Sequence, residues 1–226
     1  MTDRRWERVA GFYPRFAHRM AAWAEALGTV PAVTWEGSWI RDVPAVRLRR
    51  RALRPAPRLL EPVGYRFAHG RYHRRDAFPA LYLADGRDTA WAEVFGATSA
   101  GDAVSAPLES RLALRVDGCL RMLVDLRDGS VQELLGVTTR DLTEAHQVLV
   151  VDALGRFPGY ELTQCLCEIG HSIGLGGFVY PSAATRRTGM EGSNVVIFPD
   201  NLERTGSWYQ VTDPVTGVVE RWPLIG

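Results

Sequence analysis

Four kinds of side chain stand in an order that could do chemistry. Glu93, in Thr89-Ala90-x-x-Glu93-Val94, falls about one turn into a helix that follows an apolar run. A carboxylate so placed can stabilise developing positive charge and orient a hydroxyl or nucleophile. Arg71, in Gly70-Arg71-Tyr72, offers a planar, permanently charged fork that matches phosphate oxygens. Tyr82 lies in the middle of Ala80-Leu81-Tyr82-Leu83-Ala84 and brings a ring that can stack and a hydroxyl that can bond. Ser182, in Tyr180-Pro181-Ser182-Ala183 just after an apolar strand, can donate to an oxygen. Each has an ordinary reading too: a solvated helix glutamate, a surface arginine, a core tyrosine, a turn serine after proline.

Other chemistries fit less well. All 27 basic residues are Arg, so a lysine Schiff base or a P-loop lysine is excluded. Cys165-x-Cys167-x3-His171 holds soft ligands, but structural zinc needs about four and no second pair follows. Helical residues two apart also point to different faces, so no metal is expected. No Gly-x-Ser-x-Gly elbow accompanies the serines and histidines. Gly174-Leu-Gly-Gly follows a helix rather than a strand, so it makes no dinucleotide fingerprint. His146 and His171 sit in helical pattern and read as polar-face or core residues.

The elements that must position these residues read as α+β. The 226 residues, 46% hydrophobic, suffice for one core, or one core with a small lobe. Trp6, Val9, Phe12, Phe16, Met20, Trp23 and Leu27 recur at helical spacing, broken by Gly11 and Pro14 and ended by Gly28. This predicts a helical extension over 1–40. Residues 31–63 hold five Pro and show no single period; Pro44–Leu48 suggests a short strand, and Arg54-Pro-Ala-Pro an extended connector.

From Gly64 onward helices and strands mix. Ala80–Ala84 predicts a buried strand, with Asp88 or Thr89 capping the next helix. Arg111–Val116 and Arg121–Leu126 read as two strands joined at Asp117-Gly118. Helices are expected over Thr139–Leu154 and Thr163–Gly174, the latter ended by Gly176-Gly177. Strands follow at Phe178–Tyr180 and Asn194–Phe198, then a hairpin over 208–224 turning near Pro214–Gly217.

Charge is uneven. Between Arg41 and Arg75, eleven Arg face two acids, which leaves that segment at +9 and the remainder at −8. A basic stretch beside an acidic remainder suits an anionic partner, or a solvated face. The odd number of Cys and the absence of an apolar leader after residues 1–5 predict a cytoplasmic protein with reduced thiols and no membrane span.

Taken together, Gly70-Arg71-Tyr72, Leu81-Tyr82-Leu83-Ala84, Ala90-x-x-Glu93-Val94, Gly177-Phe178-Val179-Tyr180-Pro181-Ser182-Ala183 and Asn194-Val195-Val196-Ile197-Phe198 resemble the RES domain. Its pattern runs G-R-W, L-Y-x-A, A-x-x-E-v, G-x-x-Y-P-S-A and N-x-v-l-F. Arg71 to Tyr82 and Tyr82 to Glu93 are each eleven residues, as that pattern spaces them. Tyr72 stands where the family has Trp, and His73-Arg74-Arg75-Asp76 replaces its N-P-P-G-like turn.

The resemblance implies a fold similar to ADP-ribosyltransferase toxins: mixed and antiparallel sheets with flanking helices, the catalytic domain spanning 41–226. It implies NAD as substrate, consumed by hydrolysis or phosphorolysis, or used to transfer ADP-ribose to a protein. Inorganic phosphate is then a candidate co-substrate, and an antitoxin with a DNA-binding domain a candidate partner. Glu93 would support the transition state, Tyr82 the nicotinamide, Arg71 the pyrophosphate, and Ser182 a phosphate or ribose oxygen. The family's second Arg lies about twenty residues earlier than the first. Arg47, after Pro44-Ala-Val46, is the first choice, and Arg66, in Tyr65-Arg66-Phe67, the competitor. A non-catalytic nucleotide- or nucleic-acid-binding module using residues 41–75 is the reading of another class; it leaves Glu93 and Tyr82 without a purpose.

Overall fold

The computed structural model describes residues 4–44, 59–60, 70–95, 111–144 and 160–223. Helix α1 (Arg4–Phe12), a 3₁₀ helix (Pro14–Arg19) and α2 (Met20–Thr29) come first. The break between them falls at Tyr13-Pro14, where proline opens the 3₁₀ helix. Met20, Trp23, Ala26 and Leu27 form the buried stripe of α2. Gly28 does not end that helix; it lies inside α2, and Val30 caps it through its N–H to Ala26 O.

Strand β1 (Val33–Pro44) then begins inside the stretch expected to be helical, and it is longer than the short strand expected at Pro44–Leu48. Residues 45–48, the connector at 54–57, the strand at Tyr65–Phe67, and the sequences carrying Arg47 and Arg66 lie outside the described residues. So does the second half of the helix expected over Thr139–Leu154; its start is the short helix α5 (Thr139–Thr143).

After β2 (Leu81–Ala84) and α3 (Arg87–Phe95) comes β3 (Arg111–Asp125). The two strands expected here are one. Gly118 sits mid-strand opposite Gly37, with no room for a side chain against Trp208 and Tyr209, so it serves packing rather than a turn. The rest is α4 (Gly129–Leu135), α5, α6 (Glu161–Ile173), β4 (Gly177–Pro181), α7 (Ala183–Arg187), β5 (Ser193–Ile197), α8 (Leu202–Thr205), β6 (Trp208–Thr212) and β7 (Val219–Trp222). Helix α6 ends at Gly174, which takes φ 90 and closes the cap, two residues before the glycine pair expected to do so.

The sheet is single and mixed. β1 pairs β3 antiparallel along nearly its whole length, and touches β2 at Ile40↔Ala84. β2 pairs β5, β5 pairs β4, and β4 returns to β3 in parallel. The five strands therefore close on themselves, while β6 and β7 extend outward from β3. β3 serves both β6 and β4 along one edge. It changes partner at a bulge near Met122, where the register slips between Val33↔Leu123 and Trp35↔Leu120.

Alternation along the strands sorts two cores. Leu81, Leu83, Val179, Val195 and Ile197 face one cluster with Trp39, Val116, Leu120 and Tyr209. Phe178, Tyr180, Val196 and Phe198 face the other, covered by α1, α2 and α6. Helix α6 is buried nearly all round, and Gly170 lets it approach the Phe178 ring. Among the described residues no helix is long and apolar enough to cross a membrane.

Glycine placement gives a paired test. A Cβ on Gly177 would strike the Val196 carbonyl, whereas one on Gly28 meets nothing within 4 Å on an exposed helix face. Gly177→Ala is expected to cost about 3 kcal/mol, and Gly28→Ala to add about 0.5–1 kcal/mol. Urea unfolding of both variants checks this; equal midpoints would contradict the packing described.

Candidate active site

Glu93 owes its position to the way α3 leaves β2. Asp85, just after the strand, accepts from Thr89 Oγ1 at 2.6 Å and from the Ser193 backbone N–H at 2.7 Å. Its own N–H donates to Ser193 O at 2.9 Å. A Cβ on Gly192 would lie 2.5 Å from Thr89 Oγ1, so glycine is needed for this approach. The helix thus starts at Arg87, with Asp88 and Thr89 inside its first turn rather than capping it.

Two buried donors fix the Glu93 carboxylate on the exposed side of the helix. Ser182 Oγ and Asn194 Nδ2 each donate to Oε1 at 2.7 Å. Ser182 is 0% exposed and Asn194 5%. The sheet brings the two donors together: Asn194 pairs Tyr180 across β5 and β4, and Ser182 directly follows β4. Ser182 is also the N-cap of α7, accepting from Thr185 N–H. Its hydroxyl therefore serves both Glu93 and α7. Among the described residues nothing bonds Glu93 Oε2.

Tyr82 lies on β2 opposite Val196. Its hydroxyl meets His73 Nδ1 at 2.7 Å and accepts from the Tyr72 backbone N–H at 3.2 Å. Burial pushes the phenols of Tyr72, Tyr82 and Tyr180 well up; the Arg71 charge acts the other way on all three. The Glu93 charge adds to the rise at Tyr72 and Tyr180, so Arg71 and Glu93 act on the same aromatic group. Tyr72, in the place of the family's Trp, packs on Tyr180 with ring centroids 4.0 Å apart.

The turn carrying Arg71 is clamped. Gly70 and His73 bridge through their backbones, and a Cβ on Gly70 would lie 2.5 Å from the His73 ring. From α6, Gln164 Nε2 donates to Gly70 O at 2.8 Å and Thr163 Oγ1 donates to Arg71 O. Arg71 Nη1 reaches the carbonyls of Leu142 and Glu144 at 3.2 and 3.3 Å, and its guanidinium lies over the Tyr160 ring.

A cleft of about 290 Å³ opens between β1 and β2, which share a single pair, and α3. Arg41, Tyr82, Glu93, Arg111, Tyr180 and Asn194 line it. Arg41 Nη1 also donates to Tyr82 O at 2.7 Å. Of the residues expected from sequence, Glu93 and Tyr82 line the cleft, and Ser182 stands behind Glu93. Arg71 is adjacent without lining it, and Arg47 and Arg66 lie outside the described residues. Sequence reasoning passed over Asn194, Tyr180, Arg41 and Arg111. Asn194 carried one usable signal, an amide at the head of a fully apolar strand.

The Cys165-x-Cys167-x3-His171 sequence is packed apart. Both thiols are buried, which pushes their pKa values up, and His171 stacks on Phe78 and bonds Asp200 at 2.9 Å. Among the described residues no three His, Cys, Asp or Glu gather as a metal site. The chemical sum is a carboxylate fixed on one oxygen, beside closely packed aromatic rings and two arginines. That arrangement can hold an anion and stabilise a cation next to it.

The RES domain family model matches residues 44–216. No curated protein matches the chain. Among solved structures, a chain of the M. tuberculosis MbcT–MbcA toxin–antitoxin complex is similar, with a TM-score of 0.54 at 17% identity. The likeness covers 82% of this chain and 87% of that one, and shows a shared fold.

Tyr82→Phe removes the hydroxyl that serves Tyr72 N–H and buried His73. We expect a loss of about 1–3 kcal/mol in urea unfolding, because both groups stay desolvated. A change below about 0.5 kcal/mol, as at an ordinary surface site, would show that the hydroxyl does not hold the turn.

Proposed function

The chain belongs to the RES domain family, and on that premise we propose that it consumes NAD by breaking the bond between nicotinamide and ribose. The observation that carries this reading is the Glu93 carboxylate, held on one oxygen by Ser182 and Asn194 and left open on the other at the mouth of an aromatic, arginine-lined cleft.

The chemistry asks little else of the protein. Nicotinamide in NAD already carries positive charge, so it leaves with the bonding electron pair as a neutral molecule and needs no general acid. The charge passes to the ribose as an oxocarbenium-like centre. Glu93 Oε2 stabilises it electrostatically, in a site whose partners need no reorganisation. An acceptor oxygen then forms the new bond to the anomeric carbon: phosphate adds as its anion, and water releases one proton to solvent as it adds. Tyr82 and Tyr180 offer ring faces to the nicotinamide, and Arg41 and Arg111 offer charge to the pyrophosphate. Arg71, bound to carbonyls, contributes its field and the order of its turn. Ser182 acts through Glu93 rather than on substrate.

The family, and a fold shared with a chain of a toxin–antitoxin complex, support a toxin acting on the cytoplasmic NAD pool. Its partner would be an antitoxin, with a DNA-binding domain in the arrangement the family implies.

Incubation of the full chain with NAD, with and without phosphate, and mass analysis of the products tests the reaction and its acceptor. Glu93→Gln keeps an oxygen for Ser182 and Asn194, so the circular dichroism spectrum should match wild type. NAD consumption is expected to fall by about 10²–10³-fold. Wild-type rates in that variant would remove Glu93 from the mechanism.

A further inference from the structure

The cleft at Glu93 continues along α3. One turn toward the helix N-terminus, a second cavity of about 300 Å³ is lined by Arg87, Ala90, Trp91, Arg111, Leu112 and Ala113. Ala90 and Arg111 line both cavities, so the two adjoin. Helix geometry accounts for this. Residues 87, 90, 91 and 94 share a stripe, so successive turns, about 5.4 Å apart, present first one cavity and then the other.

Trp91 is out of place by burial. It is 59% exposed, whereas Trp6, Trp23 and Trp39 are buried and the remaining tryptophans are at least partly covered. Leu112, 38% exposed, continues the apolar surface across to β3. An exposed indole that lines one cavity with Arg87 and Arg111 has the chemistry of a base-stacking platform with phosphate binders beside it.

We infer that this second cavity binds an adenine nucleotide, with the base on Trp91 and the phosphate at Arg111. Resting on the function proposed above, this becomes the AMP half of NAD. A dinucleotide carries its phosphates between its two nucleosides, and Arg111 stands where the two cavities meet. The nicotinamide half then runs toward Tyr82 and Glu93, which fixes the direction of the substrate along α3.

The test titrates AMP into the full chain by calorimetry, for wild type, Trp91→Ala and Trp91→Phe. Wild type is expected to bind. Trp91→Ala should weaken binding at least tenfold, and Trp91→Phe, which keeps a ring, should weaken it less. In parallel, the efficiency on NAD relative to nicotinamide mononucleotide, which has the reacting bond but no AMP half, should fall at least tenfold in Trp91→Ala. No AMP binding by wild type, AMP binding indifferent to Trp91, or equal losses on both substrates would overturn the assignment. A partner protein using Trp91 as its contact would give the indifferent result. If wild type cleaves neither substrate yet binds AMP through Trp91, the proposed reaction fails and the adenine site stands.

Discussion

A carboxylate that must face a ligand on one side and stay fixed on the other needs rigid donors behind it. Ser182 and Asn194 supply them to Glu93 because neither can move: one opens α7 and follows β4, the other is paired on both sides within β5. Much of the architecture serves that arrangement. The β4–β5 pairing sets the two donors side by side, and Asp85 ties the start of α3 to Ser193 so that Glu93 arrives above them. Closure of the strand ring then holds β2, which carries Tyr82, next to the same donors.

A second set of contacts stiffens the other wall. Tyr13 donates to Glu168 Oε1 at 2.6 Å, and Arg74 donates to the same oxygen at 3.1 Å while its guanidinium lies over Phe12. The N-terminal helices are therefore joined, through one buried carboxylate on α6, to the turn that carries Arg71 and His73. Neutralising that carboxylate inside the core takes a cation and a phenol from different parts of the chain. This gives residues 4–29 a structural place that no local pattern conveys.

What the sequence made legible follows from range. Helical spacing found α2 and α6, short apolar runs found β4 and β5, and turn residues found the terminal hairpin, because each of these signals is local. The motif order found Glu93 and Tyr82, which line the cleft. The failures were long-range. β3 reads as a hairpin because Gly118 looks like a turn residue, and only the close approach of β6 explains it. β1 has no period because Gly37 and Arg41 interrupt its inward face. Arg41 and Arg111 reach the cleft only through strand pairing, so neither the crowded basic run that begins at Arg41 nor the strand start at Arg111 singles them out. Ser182 was found from its motif, but its bond to Glu93 was not legible, since a hydroxyl's partner within the protein depends on the helix opposite it.

Strand closure also decides where this protein is open to others of its kind. Within the ring β1 and β2 meet at a single pair, where the cleft opens, and among the described residues the sheet ends outward on β7. That strand is four residues long, carries Glu220 and Arg221, and is followed by Pro223. Val219 at its start, and Val215 and Val218 before it, are exposed. Short length, charge and proline are the usual guards of an edge against strand addition. The outer end of the sheet is thus guarded by a segment that lies apart from the cleft.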